Sequence, residues 1–112
     1  AVKGMKRIHL TTADGASSDF VMDSVAISEC AAVKWTVMLK DGTTSRYACE
    51  ILAINLGDTS VPDATEYGIV TVGTALGGLE IHVDYNSANM RLLLDTTTHE
   101  VDVEVLRLAL DA

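Results

Sequence analysis

Residues 79–95 read LEIHVDYNSANMRLLLD, and the period of this stretch decides the fold class. Leu79, Ile81, Val83 and Tyr85 alternate with Glu80, His82 and Asp84. Strict alternation over this length is the pattern of a strand with one buried and one wet face. The pattern pauses at Asn86-Ser87-Ala88-Asn89 and resumes with Met90, Leu92 and Leu94. Asparagine tolerates the left-handed backbone of a tight turn, and Asn86 and Asn89 supply it here. The stretch therefore predicts a β-hairpin. Its apolar set faces a core, and Glu80, His82 and Asp84 face water or a neighbouring subunit.

The same period extends outward in both directions. Met5–Thr12 (MKRIHLTT) is the first candidate strand, followed by a Gly/Ser/Asp-rich loop (ADGASSD) and a second strand from Phe20 (FVMDSVAIS). From Ala31, AAVKWTVMLK places Val33, Trp35, Val37 and Leu39 on one face. Asp41-Gly42 follows, and Asp-Gly between alternating runs is a strong hairpin signal. The returning segment Arg46–Leu56 is apolar on both faces, which predicts a central strand buried on both sides. GDTSVPDATE, with the single proline Pro62, is the longest polar connection, and Tyr67–Gly73 (YGIVTVG) is a further short strand. TALGG reads as a turn. In the last segment Val101, Val103 and Val105 alternate with acids, after which Leu106, Leu108 and Leu110 form the apolar set. A phase flip of this kind predicts a β-bulge near Val105–Arg107, or a strand that changes sheets. No segment carries a convincing amphipathic helix. Seven to eight short strands with regular turn signals predict an all-β antiparallel β-sandwich or flattened barrel. One domain spans 1–112, with 1–18 readable as an N-terminal arm.

The chain has 112 residues, 48% of them hydrophobic and 21% charged, which suits a single globular domain. Aromatics make up only 4%, so the core must be aliphatic. The net charge of −8 argues against nucleic acid, whose phosphates call for a basic surface. From Asp58 onward ten acids stand against two bases, Arg91 and Arg107, whereas the N-terminus carries Lys3, Lys6 and Arg7. That polarity has a bland reading as a solvated surface. It has a sharper one in which Lys3, Lys6 and Arg7 dock on an acidic partner. No apolar run approaches the length that spans a bilayer, and no signal peptide or glycosylation sequon is visible, so a soluble protein without a membrane partner is expected. Two cysteines, Cys30 and Cys49, are too few for a disulfide scaffold or a four-thiolate zinc site. They read as buried free thiols, with a disulfide between them left to geometry.

No catalytic constellation is legible. His9, His82 and His99 form no short-range metal-binding pair. No nucleophile elbow or phosphate loop is present, and glycine-rich GTALGG lacks the lysine and helix such a loop needs. Glu80, His82 and Asp84 beside Glu100, Asp102 and Glu104 could in principle hold calcium. Alternate strand positions lie about 7 Å apart, however, whereas calcium ligands cluster on loops that wrap the ion. The expectation is no catalytic residue, no metal and no cofactor. Trp35 reads as core, although an exposed tryptophan could stack on a sugar. Arg91 and Arg107 read as outward-facing residues on half-buried strands, with an inter-subunit ion pair as the alternative.

Tyr67-Gly68-Ile69-Val70, Leu79–Tyr85, Asn89-Met90-Arg91-Leu92 and Val105-Leu106-Arg107 together resemble the small β-sandwich module of tailed-bacteriophage virion proteins. The resemblance covers about residues 57–110. It departs from the family pattern at the turn, usually Gly-rich and here Asn86-Ser87-Ala88-Asn89. It transfers no catalytic residue, and it implies a non-enzymatic structural protein of the virion, assembled in the host cytoplasm. A 112-residue chain read as complete fits a capsid decoration (cement) protein. Such a protein would bind the major capsid protein, with Lys3, Lys6 and Arg7 toward the shell. The alternatives are a tail-fibre, head-fibre or adaptor sandwich, or a carbohydrate-binding module. The resemblance also implies a homo-oligomer, a trimer in most such roles, with another virion structural protein as partner.

Overall fold

The computed structural model describes residues 2–11, 17–58, 60–76, 78–96 and 100–111, and among these the side chains of all but 2–4, 17 and 18. Eight strands follow in chain order: β1 (Val2–Thr11), β2 (Ser17–Ala26), β3 (Ala32–Asp41), β4 (Ser45–Ile54), β5 (Asp63–Gly73), β6 (Glu80–Asn86), β7 (Asn89–Thr96) and β8 (Asp102–Leu110). They form a five-stranded sheet, β1-β8-β3-β4-β5, and a three-stranded sheet, β2-β7-β6. Every neighbouring pair is antiparallel. The inner faces pack on each other as an open β-sandwich, as the alternation implies. Within the segment 1–18 read as an arm, residues 2–11 are β1, hydrogen-bonded to β8. Residues 12–16 and His99 lie outside the described residues.

The core is built from the predicted faces. Val33, Trp35, Val37 and Leu39 on β3 and Met90, Leu92 and Leu94 on β7 are wholly buried. Leu79, Ile81, Val83 and Tyr85 pack against them from β6 and its approach. The β6–β7 hairpin closes with Asn86 opposite Asn89, so Ser87 and Ala88 are the two central turn residues. Their φ angles of +50° and +66° make a type I′ turn, whose twist matches the flanking strands. The left-handed positions thus fall on Ser87 and Ala88 and not on the asparagines. At Gly73, where φ is +85°, an added Cβ would stand 2.0 Å from the Thr44 carbonyl oxygen, so only glycine fits beside the β3–β4 turn.

Three sequence expectations change. β4 is paired on both sides but buried on one face only: Cys49, Ile51 and Ala53 point inward, while Leu52 and Ile54 remain 43% and 55% exposed. An aliphatic run on both faces therefore marks an unburied sheet surface and not a central layer. β5 begins at Asp63, earlier than Tyr67, because its pairing with β4 continues down to Asp63 opposite Ile54. The expected bulge in β8 is absent: β8 pairs in uninterrupted register with β3 from Asp102 to Leu110. The alternation holds, so Val103, Val105, Arg107 and Ala109 face inward and Leu106, Leu108 and Leu110 face outward. What reads as a change of phase is an arginine on the core side.

Arg107 is drawn inward by Asp23. The register of β2 against β7 shifts between Val21 and Asp23, so the adjacent residues Met22 and Asp23 are both buried. A bulge re-aims the side chain that follows it, and here it turns Asp23 toward the core. Arg107 Nη1 donates to both carboxylate oxygens of Asp23, at 3.2 and 3.0 Å. Trp35, directly opposite Arg107 on β3, donates its indole N–H to Asp23 Oδ2 at 2.9 Å. Asp23 is 6% exposed, so its charge is compensated almost wholly by two donors from the opposite sheet.

Replacing Asp23 by Ala should cost about 3–5 kcal/mol, because it strands a half-buried guanidinium and an indole N–H. The double variant Asp23→Leu with Arg107→Leu should regain most of that loss, since no buried charge then lacks its partner. Urea unfolding followed by the emission of Trp35 measures both, and a cost below about 1 kcal/mol for Asp23→Ala alone would contradict the assignment. In the β6–β7 turn, Ala88→Gly should stabilise the fold by about 0.5–1 kcal/mol, the left-handed penalty of alanine less the chain entropy of glycine. A thermal midpoint raised by a few degrees would register it.

Candidate functional site

The hairpin trio does not converge. Asp84 lies opposite Arg91 on β7, and the two form a bidentate pair, Nε to Oδ1 at 2.8 Å and Nη2 to Oδ2 at 2.6 Å. The Arg91 guanidinium holds the Asp84 carboxyl below its usual range. Arg91 thus meets its carboxylate within the chain. Glu80 stays exposed opposite Asp95. His82 instead gathers residues that the sequence does not place beside it. Its Nε2 lies 3.1 Å from Asp19 Oδ1, and the Asp19 backbone N–H donates to Asp95 Oδ1 at 2.7 Å. Asp19 reaches this position from β2 with φ +52°.

Ligand atoms of Asp19, His82 and Asp95 lie within 4.8 Å of one another, a donor set a divalent cation can use. The surroundings differ from those of a built metal centre. A ligating imidazole normally has its second nitrogen fixed by a hydrogen bond, and His82 Nδ1 is buried with no partner. Asp19 is exposed, and the two carboxylates are each engaged, Asp19 by His82 Nε2 and Asp95 by the Asp19 backbone N–H. Nothing in the local sequence signals the grouping, because it depends on the irregular register of β2 against β7.

The N-terminal bases separate. Arg7 faces outward on β1 and pairs with Glu104 at 3.1 Å, an exposed contact that contributes little energy. Lys6 lies opposite Arg107 and lines an open cleft of about 420 Å³ with Val25, Glu29, Cys30 and Ala109. The side chain of Lys3 lies outside the described residues. Cys30 is a free thiol in this cleft, and burial pushes its pKa up, opposite to the shift that activates a nucleophile. Trp35, wholly buried, offers no face for a sugar.

A second polar group ties the edge strand to the sheet. Tyr47 on β4 donates its phenolic O–H to Glu66 Oε2 on β5 at 2.6 Å, and the free, buried thiol of Cys49 shares that carboxylate's surroundings. Burial, then the Glu66 carboxylate, pushes both Tyr47 and Cys49 well above their ordinary values. In each case folding favours the protonated form. The stability they contribute is therefore complete below the unfolded pKa values, about 8.5 for thiol and about 10 for phenol, and is lost as pH rises beyond them. The urea midpoint should fall from about pH 8.5 upward and more steeply above about pH 10. Tyr47→Phe should flatten the steeper part, and a midpoint unchanged between pH 8 and 11 would contradict the assignment. At neutral pH neither thiol should react with a disulfide reagent until the chain unfolds.

Comparison with known proteins adds fold and little else. No protein-family model matches the chain, and no curated protein matches it. Among solved structures, the tailspike protein of Acinetobacter baumannii phage AM24 superposes with a TM-score of 0.56 at 7% identity. The match covers 96% of this chain and 26% of that one, so this chain spans about a quarter of the tailspike's length. The chain thus has the open β-sandwich fold of a segment of a phage tailspike, the same group of proteins that residues 57–110 resemble in sequence pattern.

Proposed function

We propose that this chain is a non-enzymatic structural β-sandwich of a tailed-phage virion, of the kind built into tailspikes and fibres, acting by assembly with other virion chains. The observation that carries the reading is the tailspike likeness, which extends over nearly the whole of this chain. Local chemistry agrees with it. Burial pushes the cleft thiol toward its protonated form, no hydrogen bond fixes the second nitrogen of His82, and the single tryptophan is in the core. In this reading the chain works as a homo-oligomer, a trimer, needs no cofactor, and resides in the virion after assembly in the host cytoplasm.

The decoration-protein reading, in which Lys3, Lys6 and Arg7 dock on the major capsid protein, rests on the short length of the chain and on its charge polarity. Arg7 is 75% exposed and meets Glu104 within the chain. Mass spectrometry of gradient-purified phage particles, with gold-labelled antibody against the chain in electron micrographs, separates the two. The expected result is peptides of the chain in the particles and label on the tail appendage. Label spread over the head would transfer the function to shell decoration. Absence of the chain from the particles would overturn a virion role.

A further inference from the structure

The two outer faces of the sandwich differ in kind. Large exposed hydrophobic side chains gather on the outer face of the five-stranded sheet, among them Leu52, Ile54, Leu106, Leu110, Val70 and Val72. The outer face of the three-stranded sheet carries only Val21 among the described residues. Register aligns part of the larger set in rows, with Val70 and Val72 apart at the other end of β5. Leu110, Ala32 and Ile54 are cross-strand neighbours on β8, β3 and β4. The next outward row runs Met5, Leu108, Lys34 and Leu52 from β1 to β4. These rows form an apolar strip at one end of the face. The Lys34 ammonium leans out of it to Glu50, at 2.7 Å.

The charges of this face are balanced. Its described bases are Arg7, Lys34, Lys40 and Arg46. Its described acids are Glu50, Asp63, Asp102 and Glu104. The chain as a whole carries −8, so the excess acid lies elsewhere. Within the face Lys34 pairs with Glu50 and Arg7 with Glu104, and Lys40 stands opposite Asp102. A surface that meets its own copy brings like groups together around the symmetry axis, so net charge on it is repulsive. This face is neutral on a strongly acidic chain, carries an apolar strip at one end, and can be matched by itself without that penalty. Its size is adequate. Five strands spaced about 4.8 Å, each ten residues long at about 3.4 Å, give the whole face a footprint of about 800 Å² before side-chain relief. A standard interface buries about 800 Å² per partner.

We infer that the outer face of the five-stranded sheet, centred on Leu52, Ile54, Leu106, Leu108 and Leu110, is the surface through which copies of this chain associate. The inference deepens the proposed function and rests on its homo-oligomeric part. The test is the mass of the full chain by sedimentation velocity from about 1 to 100 μM, a range that brackets a modest self-affinity. The wild type should sediment as a multiple of 11.9 kDa. Leu52→Glu with Leu110→Glu should weaken association at least roughly tenfold, whereas Val21→Glu on the opposite sheet should leave it intact. Trp35 emission reports whether each variant is folded. Side-chain footprinting of the unmodified chain gives a readout independent of the variants. Leu52, Ile54, Leu106 and Leu110 should lose labelling as concentration rises, while Val21 does not. An oligomeric wild type whose mass and footprint ignore this face would overturn the assignment of the surface and leave the virion reading standing. A wild type monomeric throughout would overturn the inference, and particle labelling would then decide the function separately.

Discussion

The sandwich depends on one buried carboxylate. Asp23 comes from the three-stranded sheet, yet its two side-chain donors, Arg107 and Trp35, come from neighbouring strands of the five-stranded sheet. A charge held at 6% exposure is tolerable only with its partners in place, so any arrangement that shifts one sheet against the other exposes or strands it. The aliphatic residues around it, such as Val33, Val37, Leu92 and Val105, supply the bulk of the driving force but no direction. The polar bridge is directional. It selects, from the many ways two apolar faces can stack, the one in which the β2 bulge lies over Trp35 and Arg107.

The same register organises the outside. Because β8 continues without a bulge, Leu106, Leu108 and Leu110 lie on the outer face, in rows that run through Ala32 and Lys34 of β3 toward Ile54 and Leu52. A sheet surface with an aliphatic strip is unusual on a monomer and usual on a subunit. Cost and opportunity are linked: the arginine that occupies the inner face of β8 for the bridge leaves the leucines outside, where assembly can use them. The fold likeness to a tailspike segment and this unburied face are the two observations behind the proposal that the chain works by assembly.

The hairpin at 79–95, the β3–β4 hairpin and the apolar faces of β3 and β7 were legible because each rests on local alternation and local turn chemistry. The ends of that legibility are instructive. From sequence Arg107 is expected outward, because an arginine on an apolar strand normally is, and the aspartate that draws it inward is 84 positions away. Strand alternation groups His82 with Glu80 and Asp84, whereas its contact is Asp19. Asp84 in turn belongs to Arg91, a cross-strand pair that follows once the hairpin register is counted from the turn. The left-handed turn positions fell on Ser87 and Ala88 because the strands set the turn length, and turn length overrode residue preference.

The sequence by itself determined that the chain is all-β, where its principal strands and hairpins lie, and which residues of β3, β6 and β7 share a face. Period-two alternation and turn residues act over a few positions and need no distant partner. The tertiary structure alone decided which face of β4 and β8 is covered, which carboxylate answers each arginine, and which outer face is left neutral with an apolar strip. Alternation separates the two sides of a strand without saying which one another sheet will cover. That choice follows from contacts made across the sandwich, where the bulge at Met22–Asp23 turns a carboxylate toward Arg107 and Trp35.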